Sequence, residues 1–168
     1  MRPQLAVPAI ALLFGGCRSA SDDLVARADS LAAHIDREAA SLARDTAVVF
    51  DLSTEGAFLE AHYQHDSLRR LKGSSLRETG RASETYYFDP SLFLVVRTDG
   101  RYDAHLSGRV RDSSSDRIYV GDGGVVRWIR RPDSRASLDS ATARRAADSL
   151  NAAALELLGR LPRRQVVR

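Results

Sequence analysis

The chain of 168 residues contains one cysteine, one methionine, one tryptophan and five prolines, and Lys72 is its only lysine. A single thiol excludes an internal disulfide, so packing has to hold the fold. A membrane-spanning helix is missing too: it needs about twenty apolar residues, whereas the run from Leu5 to Phe14 is far shorter and contains Pro8. An excess of charge of one sign is also lacking. The 25 basic residues face 22 acidic ones, leaving +3, and the two signs are interspersed. That is not the electrostatic footprint of a nucleic-acid-binding protein, so nucleic acid is excluded from the expected partners. Arginine accounts for every basic residue but Lys72, a bias that a GC-rich genome produces by itself, so it does not indicate phosphate recognition.

The cysteine gains meaning from what stands before it. Met1-Arg2-Pro3-Gln4 makes a short basic start, Leu5 to Phe14 an apolar stretch, and Gly15-Gly16 leads into Cys17. A basic n-region, an apolar h-region and small residues at the cut form a secretory signal. Ending on cysteine, this one resembles a bacterial lipoprotein signal, in which the chain is cut before the thiol and the thiol is acylated. Phe14 stands where leucine is commonest in that pattern. The resemblance implies lipidation at Cys17, a cofactor-free chain held to the membrane by acyl groups, and a place in the cell envelope facing the periplasm. Several acyl chains give stable anchoring where one would be reversible. Arg18, rather than an aspartate, follows the cysteine, and this favours the outer membrane over the inner. Residues 1–16 are therefore expected to be removed, with 17–20 as acylated cysteine and linker.

The remainder reads as one α+β domain over residues 21–161, with a basic, disordered tail at 162–168. Ser21-Asp22-Asp23 has the chemistry of a helix start. Leu24, Ala28, Leu31, Ile35, Ala39 and Leu42 then form an apolar stripe, predicting a helix over 21–43. From 47 to 130 the apolar period changes to two, predicting a curved antiparallel β-meander of about six to eight strands. Turns are expected at Gly73-Ser74, at Asp89-Pro90, at Asp99-Gly100 and at Gly121 to Gly124, with a polar loop over Arg111 to Asp116. Leu92 to Val96 is apolar at every position, which suits a central strand covered on both faces. Ala143, Ala147, Leu150, Ala154 and Leu157 mark a second helix over 138–160. One helix or both are expected to cover the sheet's apolar face.

The aromatic hairpins Tyr86-Tyr87-Phe88, Arg117-Ile118-Tyr119-Val120 and Arg127-Trp128-Ile129 resemble those of uncharacterised envelope lipoproteins; no defined activity comes with that resemblance. Candidate chemistry is sparse. His62 and His65 straddle a strand end, where their rings diverge, so no metal site is expected. Gly73-Ser74-Ser75 and Ser113-Ser114-Ser115 lack the strand-to-helix elbow of a nucleophilic serine. Gly121 to Gly124 precedes a strand rather than a helix and so makes no phosphate cradle. Alternation sends some aromatic side chains to each face of the sheet. Tyr87, Tyr119 and Trp128, flanked by Arg117 and Arg127, either form an exposed strip for a glycan, lipid or protein partner or lie beneath the second helix. The leading expectation is a non-enzymatic envelope module that presents its sheet to a protein, glycan or lipid. A carboxylate-based envelope hydrolase, or a carrier of an apolar ligand inside the sheet, are the alternatives.

Overall fold

A computed structural model describes residues 19–50, 55–132, 134–136 and 138–162. Cys17, the segment expected to be a signal and the arginines of the expected tail lie outside the described residues.

Helix α1 (Ala20–Glu38) starts two residues before the expected cap: Ser19 is the N-cap, and its hydroxyl accepts from the Asp22 amide at 3.2 Å. It also ends earlier than the stripe predicts. The Ser41 amide and hydroxyl both donate to the Glu38 carbonyl at 2.8 Å, closing the helix before Leu42. A side chain that satisfies a terminal carbonyl is a local alternative to another helical turn.

Eight strands follow: β1 (Ala43–Val49), β2 (Ala57–Gln64), β3 (Ser67–Arg77), β4 (Gly80–Phe88), β5 (Leu92–Tyr102), β6 (Val110–Gly121), β7 (Gly124–Arg131) and the short β8 (Ser134–Ala136). They form one open antiparallel sheet in sequence order. Four of the pairings contain a register shift, and each such bulge bends its strand and adds twist. Helix α2 (Ser140–Gly159) closes the fold, capped by Asp139, whose carboxylate accepts from the Thr142 amide at 2.9 Å. No helix among the described residues is long and apolar enough to cross a membrane.

Three predicted turns are strand interior. Gly73-Ser74 lies within β3, Asp99-Gly100 within β5, and Arg111 to Asp116 within β6. The loop between β5 and β6 lies instead at residues 103–109, where Leu106 and Gly108 have φ of 58° and 70°. The glycines were misleading because they serve contact rather than turning. A Cβ on Gly73 would meet Leu59 and Leu157 at 3.4 and 3.8 Å. On Gly80 it would lie 2.2 Å from the Gly100 carbonyl oxygen, so that pair of glycines lets two strand backbones close up. The hairpin at Gly121 to Gly124 forms as expected, Gly121 opposing Gly124.

The sheet has two apolar faces rather than one. Cross-strand partners share a face and successive residues alternate. The row Ala61, Leu71, Tyr86, Val95, Ile118 packs beneath α2, with Ala143, Ala147, Leu150 and Ala154 of the helix over it. On the other face Tyr87, Leu94 and Tyr119 pack beneath Ala28, Ala32 and Ile35 of α1. Strand β5 is thus covered on both sides, as its unbroken apolar run predicts: Leu94 faces α1 and Val95 faces α2, and neither is exposed to solvent.

Candidate functional site

The α1 face is organised in rows that run across the strands. The first row is Arg44, His62, Arg70, Tyr87, Leu94, Tyr119 and Arg127, one residue from each of β1 to β7. Helix α1 lies along this row and is tied to it by three aspartates spaced seven residues apart. Asp22 accepts from Arg127 at 2.6 Å. Asp29 accepts from Arg117 and, at 3.0 Å, from the Tyr119 hydroxyl. Asp36 accepts from Arg70 at 2.9 Å and from the Tyr87 hydroxyl at 3.0 Å. Fourteen helical residues advance about 21 Å, and the four strand spacings from β7 to β3 about 19 Å, so the ties stay in step. Each aspartate is nearly half exposed; such pairs are worth little individually and mainly set the helix's direction and register.

The five residues singled out from sequence are therefore not an open surface. Tyr87 and Tyr119 are 7% and 1% exposed, and the helix that covers them is the first, not the second. Burial, followed by the neighbouring Asp36, raises the pKa of the Tyr87 hydroxyl, and burial raises that of Tyr119. Arg117 and Arg127 are occupied by Asp29 and by Asp22 with Ser21. Ser19, then Arg127, holds the Asp22 carboxyl below its ordinary range. Trp128 points to the opposite face, packs against the α2 core and carries the Arg130 guanidinium 5.7 Å from its ring centre. The seven-residue spacing of Asp22, Asp29 and Asp36 beside the apolar stripe is the sequence signal for this arrangement.

His62 ends the covered row. It is 3% exposed, with Nε2 3.6 Å from Glu60 and Nδ1 unpartnered. Burial first, then the Arg70 charge, lowers its pKa. His65 sits in the β2–β3 turn with φ of 55°. Among the described residues no three His, Cys, Asp or Glu side chains are placed to hold a metal ion.

Beyond α1 the same face opens, although Val96 still packs against the core under the helix and Arg117 still binds Asp29. The second row is Lys72, Thr85, Val96 and Arg117; the third is Ser74, Ser83, Thr98 and Ser115; the fourth is Leu76, Arg81, Gly100 and Ser113. Lys72 of the second row and most of the third and fourth rows line a groove of about 550 Å³, whose lining includes Arg81 and, among the described residues, no carboxylate. Glu60 stands opposite Lys72 in register, but its carboxylate turns to Arg70 at 3.0 Å, leaving the ammonium without a partner among the described residues. Phe58, opposite Ser74, and the half-exposed Leu76 add apolar surface at the β2–β3 side. Val48 and Phe50, 60% and 78% exposed, continue it towards the sheet edge.

The corresponding part of the α2 face is closed on itself. Glu84, Arg97, Asp116 and Arg130 alternate in sign across β4 to β7, with Arg97 on Glu84 at 3.0 Å and Arg130 on Asp116 at 2.9 Å. Arg130 holds the Asp116 carboxyl below its ordinary value. These four charges pair with one another, while the groove on the other face leaves two cations and a row of hydroxyls facing solvent. Sequence reading missed this groove because Ser74, Ser113 and Ser115 fall in segments assigned to a turn or a loop, and Thr98 immediately precedes the expected turn at Asp99-Gly100. Their signal is a hydroxyl at alternate positions, Ser83/Thr85 and Ser113/Ser115, once those segments are read as strand.

No family model, no curated protein and no solved structure matches the chain.

Proposed function

We propose that the protein is a non-enzymatic, lipid-anchored module of the bacterial cell envelope, facing the periplasm and favouring the outer membrane. It binds an envelope partner through the part of its sheet that α1 leaves open. The observation that carries this reading is that Glu84, Arg97, Asp116 and Arg130 pair with one another on the α2 face, whereas Lys72 and Arg81 line a groove on the other face that has no carboxylate among its described lining residues. The signal segment ending on Cys17 supports the anchor. Further support comes from the jobs of the ionisable side chains, since the three aspartates of α1 tie helix to sheet and the Asp139 carboxylate caps α2.

Metabolic labelling with a fatty-acid analogue is the test of anchoring. Cys17→Ala should abolish the label and leave an unprocessed precursor; a mutant that still matures normally refutes the lipoprotein reading. Turnover of an envelope substrate by the purified chain, lost on a point substitution, would refute the non-enzymatic reading.

A further inference from the structure

The open rows of the α1 face say more about the partner than that it exists. A helical or apolar partner would need an apolar stripe to pack on, as α1 has in Leu94, Val96 and Ile129. The open rows offer instead Ser74, Ser83, Thr98 and Ser113 in the groove lining, with Ser115 beside Thr98 in register and Ser83 and Thr98 already 3.1 Å apart. Hydroxyls both donate and accept, so they suit a ligand that is itself rich in hydroxyls. Their spacing across the strands is about 4.8 Å, close to the advance of one pyranose ring in an extended chain. The hydroxyl row spans three such steps, about 14 Å. Lys72 and Arg81 lie on opposite sides of it, two residues along the strands from the row in each direction. With no carboxylate among the described lining residues, these cations complement negative charge on the two flanks of a ligand at the β3–β4 end of the row. Phe58 and Leu76 provide apolar surface for the C–H faces of sugar rings. Gly100 keeps the floor open, since a Cβ there would stand 3.2 Å from Val110 and 3.7 Å from the Arg81 stem.

We infer that this groove binds an extended acidic glycan, laid across strands β3 to β6 alongside α1, with Lys72 and Arg81 on its acidic groups and the Ser/Thr row on its hydroxyls. The inference deepens the binding-module reading and rests on it for the face involved. The source of the acidic group is left to the test: a uronic acid of a free polysaccharide or a phosphate of a lipid-linked one.

The test is calorimetric titration of the full acylated chain in neutral detergent with three probes: a galacturonic acid tetramer, the deacylated core oligosaccharide of lipopolysaccharide, and neutral cellotetraose. At least one acidic probe should bind and cellotetraose should not. Lys72→Gln with Arg81→Gln should weaken binding about tenfold or more. Ser83→Val with Thr98→Val should weaken it several-fold with the charge unchanged. Arg27→Gln with Arg37→Gln, the same charge removed from exposed positions of α1, should leave it intact. The uronate and phosphate probes separate the two sources. Failure of both acidic probes, equal binding of cellotetraose, or an equal loss in the α1 control pair overturns the inference. So does displacement of the glycan by phosphatidylglycerol vesicles that bind with the same dependence on Lys72 and Arg81, since the site would then serve a lipid surface. Acyl labelling on the same preparation keeps the readings separate. Label without glycan binding removes the ligand assignment alone, whereas glycan binding by a normally matured Cys17→Ala chain removes the anchor alone.

Discussion

Truncating Leu94 tests the two-faced architecture most directly. The side chain has no solvent exposure and stands between Tyr87 and Tyr119 in the row beneath α1. Leu94→Ala removes three carbons, about 2.4 kcal/mol of transfer free energy at ~0.8 kcal/mol each. The walls cannot easily collapse. Both tyrosine hydroxyls are bound to aspartates of α1, and the helix is tied at three points along its length. A retained cavity adds about 1 kcal/mol, for a total near 3.5 kcal/mol. That is a large share of the ~5–15 kcal/mol a domain has, and for this size it lowers Tm by about 7–14 °C. Urea titration and thermal melting followed by circular dichroism give the loss, and amide exchange gives its location. Exchange should quicken first in α1 for Leu94→Ala and in α2 for Val95→Ala, because these neighbours face opposite helices. A loss below about 1 kcal/mol, or quickened exchange in α2 from the Leu94 change, would refute the placement of α1 over this row.

His62 should confer a dependence of stability on pH. Its folded pKa is depressed below 6.5, so the unfolded chain takes up the proton first and stability, complete above that value, falls as the pH drops through it. His62→Gln should flatten the urea-unfolding free energy between about pH 7.5 and 5.5; parallel curves for the two proteins would refute the assignment. Gly124 has φ of 120°, and a Cβ there would lie 2.8 Å from the backbone of Ala143 and Arg144 in the first turn of α2. Gly124→Ala should cost roughly 2–3 kcal/mol or more, against little for Gly123→Ala, whose Cβ would meet nothing within 4 Å. Equal melting temperatures for the two variants would refute the close approach of the β6–β7 hairpin to α2.

Legibility followed the kind of signal each element carries. Both helices are readable because an apolar stripe at a period near 3.6 is what a helix with one buried face requires, and no strand produces it. Leu92 to Val96 announces a doubly covered strand by having no polar side. The hairpin at Gly121 to Gly124 is readable because its glycines sit between two clear strands. Gly73 and Gly100 misled because glycine has two uses that look alike in sequence, turning a chain and admitting a neighbour. In this fold Leu59 with Leu157, and Val110 with the Arg81 stem, occupy the space beside them. Reading those positions as turns divided β3, β5 and β6 and hid the hydroxyl row. Which helix covers the aromatic residues was unreadable for a different reason. Alternation tells that Tyr87 and Tyr119 share a face opposite to Tyr86 and Ile118, but not which helix crosses that face.

The local order of this protein is therefore written along the chain: a helix, a sequential meander of strands and a second helix. Periodicity involves neighbours in sequence, so one sequence is enough to read it. The assignment of one helix to each face, the tying of Asp22, Asp29 and Asp36 to partners 34 to 105 residues away, and the assembly of Lys72, Arg81 and the Ser/Thr row into one groove were decided only by the tertiary structure. Register and face bring together side chains from different strands, and those relations depend on packing between elements that sequence proximity does not encode.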